Sequence, residues 1–245
     1  MNKLFILLTI IFISLRCHAQ VTLCDSIDAK LYSEYERIFP FYYGDFDSLA
    51  YYSDMFSDKF NQYLKNEQTS FSCSFKQLSK ENSVRIVKTS DNLLRIYSWN
   101  TWLGGTMHNY RNVFQFVSDG KVYTKSFDYG DGDMGTLYTK VYSVKVKDKI
   151  CFLAVSLGTI ASSDYYRNIR VYSINNNDLI DSVRLIKTQS GLCNSIGLEF
   201  RGGEDNDIKY DDVKKIICIP VVLKNGLMTK RYIKYKFTGQ YFEKI

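Results

Sequence analysis

Two hydrophobic periods divide the chain. In its first third, apolar side chains recur at three- and four-residue steps: Ile27, Leu31, Tyr35 and Ile38, then Leu49, Tyr52, Phe56, Phe60 and Tyr63. That spacing places each set on one face of a helix. Asp25-Ser26 and Asp47-Ser48 stand where N-caps belong, and Pro40 lies just beyond the first run. The second stripe reads as core, with Asp54 and Asp58 on the solvated far side. Phe71, Phe75 and Leu78 predict a short third helix.

From Val84 the period falls to two, which is the repeat of a half-buried strand. Strands are predicted over Val84 to Lys88, Leu93 to Trp99, Asn112 to Val117 and Lys121 to Phe127, with Asp119-Gly120 as a hairpin turn. A second group follows. Tyr138 to Val146 pairs with Ile150 to Leu157, and Arg167 to Ile174 pairs with Leu179 to Ile186 around Asn175-Asn176-Asn177. A third runs from Val213 through Val222, across Asn225-Gly226, along Tyr232 to Phe237 and on to Tyr241-Phe242. The endings VFQFVSDGKVYTKSF, IRVYSINNNDLIDSVRL and YIKYKFTGQYFEKI share one plan of strand, polar turn, strand. The fold expected is mostly β with an N-terminal helical segment. Its serial antiparallel four-stranded units form a propeller-like arrangement or one curled meander sheet. On this reading residues 1–19 are a signal peptide, 20–82 the helical segment and 83–245 a β domain of about three pseudo-repeat units. Lys234 and Lys236 alternate with Ile233, Tyr235 and Phe237, which predicts a water-facing strand at a sheet edge.

The first residues change the compartment. Lys3 precedes an almost unbroken apolar run from Leu4 to Ile13, and Cys17-His18-Ala19 offers a small-x-small cleavage site. The run is short of the ~20 residues a membrane span needs. A secretory leader is therefore expected, with the mature chain periplasmic or extracellular and without a transmembrane segment. Cys17 after the apolar run raises a lipoprotein alternative, but Arg16 departs from the small residue such processing prefers. Loss of Lys3 and Arg16 takes the formal net charge from +6 to +4. The remaining basic residues are interspersed with acids, which argues against a nucleic-acid partner. Beyond the leader stand Cys24, Cys73, Cys151, Cys193 and Cys218, an odd set without a C-x-x-C pair. An oxidising compartment permits disulfides but the spacing leaves their pairing open. His108 is the one histidine outside the leader, so a multi-histidine zinc site is excluded.

Candidate chemistry concentrates in Leu93 to Tyr110, LLRIYSWNTWLGGTMHNY. Trp99, Trp102, His108, Asn109, Tyr110 and Arg111 cluster around Gly104-Gly105. Aromatic faces with amide and guanidinium donors suit a sugar ring or a peptide. A second candidate is the loop Asp128-Tyr129-Gly130-Asp131-Gly132-Asp133-Met134-Gly135. Asp128, Asp131 and Asp133 would suit a hard cation such as Ca2+, although the spacing is not that of an EF-hand. Otherwise the chain calls for no cofactor. A third, Arg201-Gly202-Gly203-Glu204-Asp205-Asn206-Asp207, reads as an exposed loop.

The stretch from Asp91 to Met107 resembles a phrase of the type S-x-D-x-x-L-R-I-Y-S-W-D-T-x-T-G-G-T-M, found in an uncharacterised family of exported Bacteroidetes proteins. Asp91, Leu94, Arg95, Ile96, Tyr97, Ser98, Trp99, Thr101, Gly104, Gly105, Thr106 and Met107 match it. Asn100 stands where that phrase has Asp, and Leu103 where it has Thr. The resemblance implies export and a β-rich fold, and no established activity. With no G-x-S-x-G elbow, phosphate loop or H-E-x-x-H in the chain, an exported envelope module is expected, binding a glycan, a peptide or a protein through the Trp99 to Arg111 surface. The alternatives are a hydrolase using His108 with Asp128, Asp131 or Asp133, and a purely architectural envelope protein.

Overall fold

The computed structural model describes residues 23–42, 44–80, 83–105, 107–127, 135–202 and 206–245. The predicted leader lies outside them. The fold is mostly β, with helices at the N-terminal end and several antiparallel sheets. Among the described residues, no helix is long and apolar enough to cross a membrane. The chain divides into two compact units, Met1–Val84 and Arg85–Ile245.

In the first unit, residues 23–36 are helical (α1) and a 21-residue helix, α2, spans Phe46–Asn66. Asp25 and Ser26 lie inside α1, which is already helical at residue 23. The cap of α2 is Asp45, whose carboxylate accepts the Ser48 N–H at 3.0 Å. The predicted Asp47-Ser48 cap is thus displaced by two residues, because the carboxylate must precede the free amide that it satisfies. The buried stripe is Leu49, Phe56, Phe60 and Leu64, while Asp54 and Asp58 face water. Tyr35 meets Phe56 edge-on, and Phe60 does the same to Phe75.

The third predicted helix is absent. Gln68–Ser72 form a 3-10 turn, the chain extends through Cys73, and residues 76–79 turn again. Asp28, buried on α1, accepts the Gln77 and Leu78 amides at 2.7 and 3.0 Å. A carboxylate from 49 residues away thereby satisfies amides that a helix would have left unpaired at its start. Cys24 and Cys73 form a disulfide that closes a 49-residue separation. Cys151, Cys193 and Cys218 are free thiols.

From Val84 onward the described residues form fifteen strands in three sheets. The first sheet is the meander β1 (Val84–Lys88), β2 (Leu94–Asn100), β3 (Tyr110–Ser118) and β4 (Lys121–Lys125). The second is ordered β11-β7-β6-β5, from Ser195–Arg201, Asp164–Asn175, Lys149–Thr159 and Leu137–Val146, with β8 (Asp178–Ile180) paired to β7. The third is β10 (Gly191–Cys193), β9 (Ile186–Thr188), β15 (Phe242–Lys244), β14 (Met228–Phe237), β13 (Ile216–Val222) and β12 (Lys209–Asp211). Short turns fix the local registers. Asp119-Gly120 and Asn176-Asn177 both take left-handed φ at two successive residues, the geometry that matches strand twist in a two-residue hairpin.

The middle sheet carries two cores. Cys151, Leu153 and Val155 of β6, with Ile169 and Val171 of β7, pack against Ile186, Ile217, Ile219 and Phe242 of the third sheet. The intervening residues Phe152, Ala154 and Tyr172 pack against Leu94, Ile96, Phe114 and Phe116 of the first. That is why ICFLAVS reads as an apolar run rather than an alternation: both faces of β6 are covered.

Two expected groupings change. Leu179 to Ile186 is not one strand, because β8 stays with β7 and β9 joins β15 in a parallel pair. The lysine-bearing strand β14 is flanked by β13 and β15, so Lys234 and Lys236 face water from the sheet's interior rather than guarding an edge.

Opposite-face truncations should therefore be comparably costly. Phe152→Ala and Leu153→Ala are each expected to lower stability by roughly 3–4 kcal/mol, whereas Val213→Ala, 93% exposed, stays within about 0.5 kcal/mol. Urea titrations followed by tryptophan emission check this. Cys73→Ser should destabilise the first unit by up to about 4 kcal/mol from the chain entropy of so long a loop, read as loss of helical circular dichroism at lower denaturant.

Candidate functional site

The β2–β3 connection is positioned by a seven-residue ladder that ends with Trp99 opposite Arg111 and Asn100 opposite Tyr110. Alternation along β2 decides what each aromatic can do. Trp99 shares its face with Arg95 and Tyr97, and is 1% exposed. It is a core residue, which leaves Trp102 as the indole that a ligand can reach. Trp102 is half-buried, as are His108, Asn109, Tyr110 and Arg111.

Hydrogen bonds close the loop at its base. The Thr101 amide donates to the Asn109 carbonyl at 2.7 Å, and the Thr101 hydroxyl donates to the same oxygen at 3.1 Å. Asn100, 9% exposed, has two local partners. Its Oδ1 accepts the Trp102 N–H, and its Nδ2 lies against His108 Nδ1, both at 2.9 Å. Trp102 sits at φ +64°. A bulky side chain in the left-handed region costs about 1–2 kcal/mol. The Asn100 bond to its amide holds it there. The His108 ring is edge-on to Trp102, with centroids 6.4 Å apart, and tilted toward Tyr110 at 6.0 Å. The result is a trio of half-buried rings, Trp102, His108 and Tyr110, around one buried amide. Burial pushes the Tyr110 phenol above its ordinary range, so it stays a neutral hydroxyl through physiological pH.

The start of β5 lies against the same base. The Tyr138 amide donates to the buried Ser98 hydroxyl at 3.1 Å. Gly135, at φ +66°, has its backbone against the Tyr110 carbonyl, where a Cβ would collide with the oxygen. Glycine is thus required twice over at this position, by conformation and by space.

Asp128, Asp131 and Asp133 lie outside the described residues, and so do residues 203–205 of the third candidate loop. Among the described residues, no group of three or more His, Cys, Asp and Glu side chains is placed to hold a metal ion. Asp164 and Arg201 are register partners at the β7–β11 end, where Arg201 Nε lies 3.3 Å from Asp164 Oδ1. They border a groove of about 450 Å3 with Ile160, Phe200 and Leu223. Strand pairing brings these positions together, and no local spacing signals it. Both charges are largely exposed, so the ion pair adds little stability.

Comparison with protein-family models, curated proteins and solved structures finds no match to this chain.

Gly135→Ala should cost at least about 2 kcal/mol and disturb the loop beneath Tyr110. Denaturation midpoints, with the Trp102 emission of a Trp99→Phe background as local reporter, check it. An unchanged midpoint and spectrum would show that the Gly135–Tyr110 approach is dispensable.

Proposed function

We propose that the protein is an exported, non-catalytic binding module of the cell envelope, and that the 101–110 loop takes a saccharide. One observation carries the reading. A tryptophan is kept half-exposed at an unfavourable φ by a dedicated side-chain bond, beside two further half-buried rings. Strain of that kind persists where the surroundings over-determine it, and it concentrates at ligand sites. Ring faces offer apolar contact to the C–H face of a sugar, while the adjoining hydroxyl and imidazole supply oriented hydrogen bonds. The apolar leader run and the resemblance of the Asp91 to Met107 phrase to exported Bacteroidetes proteins support export.

The hydrolase reading is less well supported. Its histidine is oriented on Nδ1 by a neutral amide, whereas a general base of the triad type is oriented by a carboxylate. The architectural reading would make Trp102 a packing residue like Phe75, which also has a positive φ, but Phe75 is buried whereas the Trp102 ring is half-exposed.

Trp99→Phe leaves Trp102 as the sole indole. Titration of that variant with envelope-derived oligosaccharides should give a saturable emission shift that Trp102→Ala or His108→Ala abolishes. Peptides and Ca2+ serve as the comparison arms. A shift with peptides alone would move the ligand class. A flat response to every arm would leave the loop as packing and favour the architectural role.

A further inference from the structure

We propose that Asn100 fixes the His108 proton on Nε2, so that the loop presents a neutral hydrogen-bond donor, and that the ligand atom meeting it is a neutral acceptor such as the acetamido carbonyl of an N-acetylated sugar. The acceptor half rests on the binding reading above; the tautomer half does not.

A side-chain amide has one accepting and one donating end. The Trp102 backbone N–H can only donate, and it lies 2.9 Å from one end of Asn100. That end is therefore the carbonyl oxygen. The NH2 must then face His108 Nδ1, also at 2.9 Å. A donor meets a lone pair, so Nδ1 carries no proton. The neutral ring holds its single proton on Nε2. Reversing the amide would put NH2 against the Trp102 N–H, two donors face to face at a buried residue.

The other end of the ring is the one left for a ligand. Nε2 has no hydrogen-bond partner among the described residues, and it is not one of their buried, unsatisfied nitrogens. Trp102 and Tyr110 flank the ring. An uncharged N–H between apolar ring surfaces matches a neutral carbonyl. An ammonium group in the same place would bring donor against donor.

One atom of the chain sets this polarity. In Asn100→Asp, a carboxylate would accept from both the Trp102 amide and His108 Nδ1. The proton would move to Nδ1, and Nε2 would become an acceptor. Asn100 is thus a positioning residue, and the polarity of the site is its readout.

The test uses the leader-cleaved chain, in which His108 is the only histidine. Long-range proton–nitrogen correlation at a pH about 1.5 units above the ordinary imidazole value reports which ring nitrogen is protonated. The expected spectrum has Nε2 protonated, and Asn100→Asp should invert it. Should that variant fail to fold, Asn100→Ala should give a mixture of the two tautomers in its place. A wild-type ring protonated on Nδ1, or already a mixture, overturns the inference whether or not any sugar binds. The ligand half is read with N-acetylglucosamine oligomers against their deacetylated counterparts. The wild type should prefer the acetylated series by on the order of tenfold, the worth of one good hydrogen bond, and Asn100→Asp should lose that preference. Equal affinities in the wild type would overturn the acceptor assignment. If neither series nor any envelope saccharide binds while Nε2 is protonated, the binding reading fails and takes the acceptor half with it; the Asn100 lock stands.

Discussion

Burial of the middle sheet on both faces is the constraint from which the rest of the β unit follows. A strand covered on one side needs a single partner layer. β6 needs two, because Phe152 and Ala154 point one way while Leu153 and Val155 point the other. The first sheet fills one demand and the third sheet the other. Both outer sheets are anchored through aromatic and β-branched residues, which carry large buried area at low rotamer freedom. The Tyr138 and Tyr172 hydroxyls, 2.6 Å apart, satisfy one another inside the first of these cores, so the phenols add no unpaired polar group.

The candidate site inherits its rigidity from this layering. β2 is buried along its whole length, so the loop that leaves it at Asn100 starts from a fixed point. Ser98, also on β2, receives the amide of Tyr138 from the middle sheet, and Gly135 lies under the Tyr110 carbonyl. A loop tied at both ends can hold one residue in an unfavourable conformation, whereas a free loop would relax it. Asn100 makes that bond to Trp102 and aligns His108 in the same act. A substitution there acts on backbone shape and on hydrogen-bond polarity together.

The first unit solves a different problem. Its helices bury Leu31, Tyr35, Leu49, Phe56 and Phe60, and the chain after α2 runs on as short turns and extended backbone rather than the predicted third helix. A disulfide and one buried carboxylate, Asp28, hold that irregular segment in place. Satisfied backbone amides and a closed loop substitute there for regular secondary structure.

Periodicity determined what can be decided locally. The change of period near Val84, the apolar stripe of α2 and the turns at Asp119-Gly120 and Asn175-Asn176-Asn177 are all legible in the sequence, because each depends on residues a few positions apart. The cluster around Gly104-Gly105 is legible too, as composition. Its sorting is only half so: the sequence puts Trp99 on a strand and Trp102 beside the turn, but that Trp99 is fully buried depends on what covers its face of β2. Likewise the union of β9 with β15, the insertion of β14 between two neighbours, the partnership of Cys24 with Cys73, and the meeting of Asp164 with Arg201 depend on the tertiary structure. A period of two states which face a residue occupies. It carries no information about which distant strand will cover that face, since that choice is made by the joint packing of all three sheets.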